Sequence, residues 1–316
     1  MSIIEKAVKR METLDRVEPS AKLFAPEISE VATEPAIRGS GEKATNQQAV
    51  TLAESVGDGW DGKAELSRAL YGEIDLAKLK QMGMITPDGE KNQISEEFRI
   101  IKRPLLTNAF NRGAAPIKNG NLIMVTSSFP GEGKTFSAIN LAMSIAMEQD
   151  HTVLLVDADV ARPSIPAFLG LRPSRGLMDL LLDDDLKFSD VLIKTNVDQL
   201  NILPAGRSHP RATELLASEG MSRLLNEIAQ RYQDRIIIFD SPPLLATTEA
   251  RALASRMGQI VMVVEAGKTA QAAVAEALTQ IEKCEVVGLL LNKGGGMLGE
   301  DQFAYGGYGG YGGYGS

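Results

Sequence analysis

SSFPGEGKT, residues 127 to 135, is the stretch of sequence that decides the fold. Its two glycines, Gly131 and Gly133, allow the backbone to curl so that its N–H groups point at an anion. A helix that starts at the end of this stretch adds the positive potential of its amino terminus. Lys134 is then placed to neutralise the β- and γ-phosphates of a nucleotide, and the Thr135 hydroxyl to hold Mg²⁺. The pattern predicts a phosphate-binding loop.

The sequence on both sides of the loop supports this prediction, although Ser128 stands where the usual spacing has glycine. Nearly continuous runs of Val, Ile and Leu are typical of strands buried on both faces of a parallel sheet. Helical patterns lie between most of these runs. We therefore predict an α/β fold, a P-loop NTPase with a doubly wound, mostly parallel sheet. The predicted strands are 121–127, 152–158, 235–241, 259–265 and 286–292, and the helices between them 135–147, 222–231 and 269–281.

Aspartates follow two of the predicted strands, at the edge where such a sheet binds its ligands. Asp157 and Asp159 end the run LLVDAD, and Asp240 ends IIIFD. Since Mg²⁺ takes one or two carboxylates together with phosphate oxygens and water, we expect Asp157, Asp240 and Thr135 to be its ligands. Asp157 or Asp159 is the expected base that orients an attacking hydroxyl. A carboxylate at a strand end can instead cap the next turn, but three at one edge favour the metal.

The composition excludes several classes of protein. The 316 residues carry 33 basic and 41 acidic side chains, and the net charge of -8 argues against a general nucleic-acid binder. Cys284 is the only cysteine, which rules out an intramolecular disulfide and a multi-cysteine metal site and fits a reducing cytoplasm. The longest apolar runs are far shorter than a membrane span, so membrane contact is expected through a partner or a surface-lying helix.

The amino-terminal part of the chain differs in character from the rest. Apolar residues at helical spacing predict an amphipathic helix within 1–16, docked on protein or lying on a membrane. Residues 17–72 are polar and aperiodic, which predicts a flexible linker. A helical segment is expected at 73–118, with one helix from Ile74 to Met84 and another from Ser95, its N-cap, to Asn111. The kinase-like core would then span 119–298 and a tyrosine-rich tail 299–316.

Three motifs carry a resemblance to a known family. PGEGKT, VDADVARPS and IIIFDSPP, in this order, resemble the bacterial tyrosine kinases, and three amino-terminal segments are similar to the exosortase-associated autokinases of exopolysaccharide operons. Those segments are SIIEKAVKRM, IDLAKLKQMGMITPDG and EEFRIIKRPLLTNAF. The resemblance implies ATP and Mg²⁺ as cofactors and catalytic roles for Lys134, Asp157, Asp159 and Asp240. It extends the nucleotide contacts beyond the glycines, Lys134 and Thr135 to Glu132, Phe136, Arg162 and Asn292. Arg162 could equally be a surface residue or contact the next protomer.

The chain ends in YGGYGGYGGYGS, residues 305 to 316. Glycine pairs keep such a segment extended and mobile, so each phenol could enter an active site. The resemblance implies that neighbouring chains phosphorylate this cluster in trans, at Tyr305, Tyr308, Tyr311 and Tyr314. The alternative is a low-complexity end without a specific role.

The same resemblance implies an assembly and partners. EEFRIIKR supplies Glu96 and Arg99 of a ring-forming motif, with Lys102 where a second arginine is usual, and lysine cannot copy a bidentate arginine contact. A solvated charged helix face is the alternative. The expected partners are a membrane-spanning polysaccharide chain-length regulator as activator, which would hold the kinase at the inner membrane, and a phosphotyrosine phosphatase.

The predicted function is therefore an ATP-dependent tyrosine autokinase that regulates exopolysaccharide biosynthesis and export. Two other functions stay open at this point. One is a partition-type ATPase, although such proteins have a lysine where this chain has Phe129. The other is a nucleotide-gated adaptor without enzymatic activity.

Overall fold

A single sheet flanked by helices forms the framework of the protein, seen in a computed structural model that describes residues 70–89, 92–110, 113, 116–231 and 234–294. The strands are β1 (Leu70–Gly72), β2 (Leu122–Ser127), β3 (Thr152–Asp157), β4 (Ile193–Thr195), β5 (Leu200–Leu203), β6 (Arg235–Asp240), β7 (Gln259–Glu265) and β8 (Val286–Asn292). The described helices are α1 (Leu76–Gln81), α2 (Gln93–Ala109), α3 (Lys134–Ala146), α4 (Ile165–Leu169), α5 (Leu177–Leu182), α6 (Phe188–Val191), α7 (Ala212–Ala217), α8 (Glu219–Arg231), α9 (Thr248–Ala254) and α10 (Gln271–Thr279).

Within the described residues, the sheet has eight strands in the order β1-β4-β5-β3-β6-β2-β7-β8. Every neighbouring pair is parallel except β4 and β5, which pair antiparallel. The predicted α/β fold with a mostly parallel, doubly wound sheet is confirmed. The five predicted strands are present within one residue of their expected ends. Strands β1, β4 and β5 were missed because they have only three or four residues each.

The core lies on both faces of this sheet because alternate residues of each strand point to opposite sides. In β2, Leu122 and Met124 face one apolar cluster, whereas Ile123 and Val125 face the other. All six residues of β6 are buried, as expected for a central strand covered on both faces.

The order of the strands brings the functional motifs to one edge. Strand β6 lies between β2 and β3, and Asp240 is in register with Val125 on one side and with Asp157 on the other. Neighbouring strands are about 4.8 Å apart, so the carboxyl ends of β2, β3 and β6 meet. Because β2 runs directly into the glycine loop, this edge of the sheet is where a ligand can be held.

The helical segment before β2 belongs to the same core. Phe98 and Leu105 of α2 are buried in the cluster that also contains the apolar face of α3. The buried Gln259 side chain ties α2 to the sheet by donating to the Leu105 and Gly120 carbonyls at 3.0 and 2.6 Å. The helical segment before residue 119 and the predicted kinase core therefore share one apolar core.

Three local expectations need correction. Strand β1 takes up the last three residues assigned to the linker, because its backbone pairs with β4. Asn92, not Ser95, is the N-cap of α2: its side chain accepts from the Ser95 amide at 2.8 Å, and Ser95 Oγ accepts from the Asn92 amide at 3.0 Å. The first predicted helix is shorter than expected and ends at Gln81. The predicted amino-terminal helix, most of the linker and the tail lie outside the described residues.

No helix in the described part of the chain has both the length and the apolar character needed to cross a membrane.

Lys102 does not have the role expected from the ring-forming motif. Its ammonium is buried, donates to the Ser144 carbonyl at 2.6 Å and pairs with Glu148 at 2.6 Å. Glu96 and Arg99, by contrast, are half exposed and pair with each other at 3.1 Å. Lys102 therefore fastens α2 to the end of α3, and only the first two residues of the motif are free to contact another chain.

We predict that Lys102→Met lowers the free energy of unfolding by roughly 1–3 kcal/mol, because it leaves the Ser144 carbonyl without a partner. The matched variant Arg99→Met should change it by less than about 0.5 kcal/mol, since an exposed ion pair contributes little. Urea denaturation of both variants measures the difference. Equal effects would contradict the structural role of Lys102.

Candidate active site

The glycine loop between β2 and α3 has the conformation that its sequence predicts. Gly131 and Gly133 adopt φ values of 89° and 98°, in the left-handed region that favours glycine. A Cβ atom on Gly133 would also collide with Nδ2 of Asn292. Gly133 is the N-cap of α3, so the first amides of that helix face the inside of the loop. The loop is thus shaped to receive an anion.

The side chain of Glu132, a residue predicted to contact nucleotide, braces the loop from within. Its side chain is buried, and Oε2 accepts from the Phe129 amide at 2.7 Å. The Thr269 hydroxyl, from the segment after β7, donates to Oε1. Both oxygens of the Glu132 carboxylate therefore have partners. The carboxylate joins the start of the loop, at Phe129, to Thr269 in the segment after β7.

The end of β8 supports the loop from the other side. Asn292 Nδ2 donates to the Glu132 carbonyl at 2.9 Å, and Lys293 Nζ donates to the Gly131 carbonyl at 2.7 Å. Lys293 is held in turn by Glu265 at 3.3 Å. Asn292 thus contacts the loop itself. Lys293 was not among the predicted site residues. It could have been recognised from its position directly after a predicted strand, at the same edge of the sheet as the aspartates.

Lys134 stands among the carboxylates that the sequence singled out. Its Nζ is 2.7 Å from Oδ2 of Asp159 and 3.9 Å from Oδ1 of Asp240. The side chain is mostly buried, as are both partners. A cation so placed offsets part of the repulsion between carboxylates that the sheet forces together.

The two strand-end aspartates have raised pKa values. Burial raises the pKa of Asp157 to about 6, against two bonds that its Oδ2 accepts from the amides of Ser164 and Ile165 at 2.9 and 3.0 Å. Burial raises the pKa of Asp240 to about 7, against the positive charge of Lys134. Desolvation of the charged form is the main cause in both cases.

These aspartates fit a magnesium site. Oδ1 of Asp157 and both oxygens of Asp240 are buried and lack a hydrogen bond of good geometry from any described residue, although the Thr135 hydroxyl lies beside Asp240. Such oxygens are ordinarily satisfied by an ion or by water. The described residues contain no group of three or more His, Cys, Asp or Glu side chains that could hold a metal alone. One or two carboxylates with Thr135, phosphate oxygens and water are what Mg²⁺ prefers.

The remaining predicted ligands differ in their positions. Thr135, at the start of α3, has its Oγ1 3.2 Å from Ser164 Oγ, and its hydroxyl also acts on Asp240. The partly buried Phe136 ring packs against the core. Arg162 is exposed, and its amide donates to Asp159 Oδ1 at 3.2 Å. The four tail tyrosines lie outside the described residues.

This chain is similar in sequence and in fold to known nucleotide-binding proteins and tyrosine kinases. The family described as an AAA domain matches residues 120–289. The tyrosine-protein kinase YwqD of Bacillus subtilis is 31% identical over 214 residues, which cover 67% of this chain and 86% of YwqD. The succinoglycan biosynthesis transport protein ExoP of Rhizobium meliloti is 30% identical over 244 residues, 73% of this chain and 30% of ExoP. The crystal structure of the chimeric protein CapA2B2 is similar with a TM-score of 0.57 and 27% identity, covering 72% of this chain and 96% of that one.

We predict that Asp240→Asn stabilises the nucleotide-free protein, by roughly 1–3 kcal/mol at pH 8. The folded-state pKa of about 7 lies above the ordinary value of 3.8, so between them only the folded state keeps the proton. The parent therefore loses stability as the pH rises from about 4 to about 7. The difference between the free energies of unfolding of the variant and the parent grows over the same range. Urea denaturation from pH 4 to 8 measures both curves.

The control for this experiment is Asp184→Asn, which removes an exposed carboxylate of the same size. Its curve should run parallel to that of the parent at all pH values. A variant at Asp240 that is less stable than the parent at pH 8 would show that the charged carboxylate stabilises the fold.

Proposed function

The chain belongs to the bacterial tyrosine-protein kinase family, and we propose that it transfers the terminal phosphoryl group of ATP to its own carboxyl-terminal tyrosines, from one chain to another. The observation that carries this proposal is the position of Lys134, 2.7 Å from Asp159 and 3.9 Å from Asp240 at the mouth of the glycine loop. Phosphoryl transfer needs positioning and neutralisation of charge more than covalent chemistry from the protein.

The loop and its surroundings would hold the nucleotide. The amides of Gly131 to Thr135 and the amino terminus of α3 favour phosphate oxygens. Lys134 would turn from Asp159 towards the β- and γ-phosphates, which removes its contact with that carboxylate. Thr135, Asp157 and Asp240 would be the protein ligands of Mg²⁺. A bound Mg²⁺ ion neutralises the charge of the phosphate oxygens during the transfer.

Asp159 is the carboxylate best placed to accept the proton of the incoming hydroxyl. Asp157 is fully buried, and its Oδ2 already accepts two backbone amides. Asp159 lies two residues further out, and Lys134 is the described partner of its Oδ2. Once Lys134 binds phosphate, that oxygen is available to orient a tyrosine hydroxyl.

The tail provides the acceptors. Its four Tyr-Gly repeats place a phenol every third residue, and glycine imposes little restriction on how the segment enters the site. Each phosphotyrosine adds about -1.5 to -2 charges, so a fully modified tail would carry about -6 to -8. We expect this charge, added to a chain that is already at -8, to loosen a ring of identical chains.

The cellular role proposed is control of exopolysaccharide biosynthesis and export. The similarity to ExoP, a succinoglycan biosynthesis transport protein, supports this proposal. We propose a membrane-spanning chain-length regulator as activator, which would hold the kinase at the cytoplasmic face of the inner membrane. Glu96 and Arg99, which α2 leaves exposed, are the proposed contacts in the ring.

Transfer between chains is tested by mixing two variants, neither of which can phosphorylate its own tail. One chain carries Lys134→Met with an intact tail, and the other is catalytically intact but has phenylalanine at the four tail positions. With radiolabelled ATP and Mg²⁺, the Lys134→Met chain alone should incorporate at least about 100-fold less label than the parent. Adding the second chain should restore label on the tail of the first, which a size tag identifies.

Other outcomes distinguish the remaining functions. Label on the parent tail but none in the mixture would show transfer within one chain. Phosphate released to solution without labelled protein would indicate a partition-type ATPase. Neither product would indicate a nucleotide-gated adaptor.

A further inference from the structure

A cavity of about 800 Å³ lies away from the active site, between α1, α2 and the end of α3. Its volume is within the range of small-molecule pockets, about 300–1,000 Å³. Ser144, Met147 and Glu148 form its wall at the carboxyl end of α3, whereas Lys134 is the first residue of that helix. A helix of 13 residues is about 20 Å long, so the cavity is separate from the nucleotide site.

The lining of this cavity is basic. Among the described residues, its lining contains Lys80, Arg99, Lys102 and Arg103 but one acidic residue, Glu148. Lys102 is neutralised by Glu148 at 2.6 Å, and Arg99 pairs with Glu96 at 3.1 Å. Lys80 and Arg103 form no ion pair within the 4 Å limit of a direct contact with any described residue, and Arg103 adds to Lys102 in lowering the pKa of Glu148. The chain as a whole is acidic, so a cavity in which the described cations outnumber the described carboxylate indicates an anionic ligand.

Polar groups in the same cavity also suit an anion. Thr86 is buried, and its Oγ1 has no hydrogen-bond partner among the described residues. Asn92 and Ser95 line the cavity at the amino terminus of α2, a helix of 17 residues. The positive end of that helix dipole adds to the field of the two cations. An unsatisfied hydroxyl, an excess of cations and a helix terminus together can bind a phosphate group.

We propose that this cavity binds the carboxyl-terminal segment of the chain after its tyrosines are phosphorylated, an inference that rests on the proposed function. Arg103 and Lys80 would pair with the phosphate of one phosphotyrosine. The ring would lie against Met84 and Met147, which also line the cavity. Sulfur and aromatic rings make favourable contacts of this kind.

The length of the tail allows this binding. Asn292 contacts Glu132 next to the start of α3, so the tail leaves the described structure near the nucleotide site. Tyr305 follows Gly294 by 11 residues, which span up to about 36–40 Å when extended. That reach exceeds the length of α3. A phosphorylated tail held in the cavity would no longer compete for an active site.

Binding of synthetic peptides tests the proposal without any kinase activity. The peptide corresponds to residues 303–316, with phosphotyrosine at positions 305, 308, 311 and 314 or with none, and carries a fluorophore. The protein is the full chain with phenylalanine at the four tail positions, so that its own tail cannot compete. Fluorescence anisotropy should show at least about tenfold tighter binding of the phosphorylated peptide.

Three variants locate the binding site. Lys80→Gln with Arg103→Gln should weaken binding at least about tenfold, whereas exposed Lys187→Gln should leave it unchanged. Lys134→Met should also bind like the parent, because it lies at the other end of α3. Thermal denaturation checks that the variants are folded.

Equal binding of both peptides, or full binding by the cavity variant, would overturn the proposal. Loss of binding in Lys134→Met alone would place the phosphopeptide in the active site instead. Displacement by inorganic phosphate but no preference for the phosphopeptide would show a simple anion site. Since the peptides are synthetic, any of these results would leave the phosphorylation of the tail to be judged separately.

Discussion

One electrostatic constraint organises the active site, the burial of three carboxylates beside one ammonium group. Strands β3 and β6 place Asp157 and Asp240 side by side, Asp159 follows, and Lys134 supplies the positive charge among them. With all four groups ionised, the cluster has two negative charges in excess, which burial makes costly. The raised pKa values of Asp157 and Asp240 express this cost. A site with this excess of negative charge attracts cations and repels anions. A nucleotide should therefore bind together with a metal ion that neutralises part of the charge.

The rest of the fold holds this cluster in place. Glu132 and Asn292 fasten the glycine loop from within and from β8, so that its amides stay directed at the ligand position. Helix α3 connects the loop to α2, where Lys102 joins the two helices. The two ends of α3 therefore differ in their chemistry. One end faces the carboxylates, and the other faces a basic cavity.

Much of this arrangement could be predicted from sequence because long apolar strands and a glycine loop have strong local patterns. Asp157 and Asp240 were found for the same reason, since each ends such a strand. Strand β4, with the sequence IKT, has no such pattern and exists only because β5 and β1 pair with it. Lys102 matched a surface motif, but its environment is set by the end of α3, which is distant in sequence. Lys293 and Thr269 act through contacts that only the folded sheet creates.

Calorimetric titration with Mg²⁺ and a non-hydrolysable ATP analogue tests the central claim most directly. The claim is that Lys134 exchanges its contact with Asp159 for the phosphates of the nucleotide. Lys134→Met should bind the analogue at least about tenfold more weakly than the parent, and Lys187→Met, altered at an exposed lysine, should bind it equally well. Unchanged affinity in Lys134→Met would contradict this account of the site.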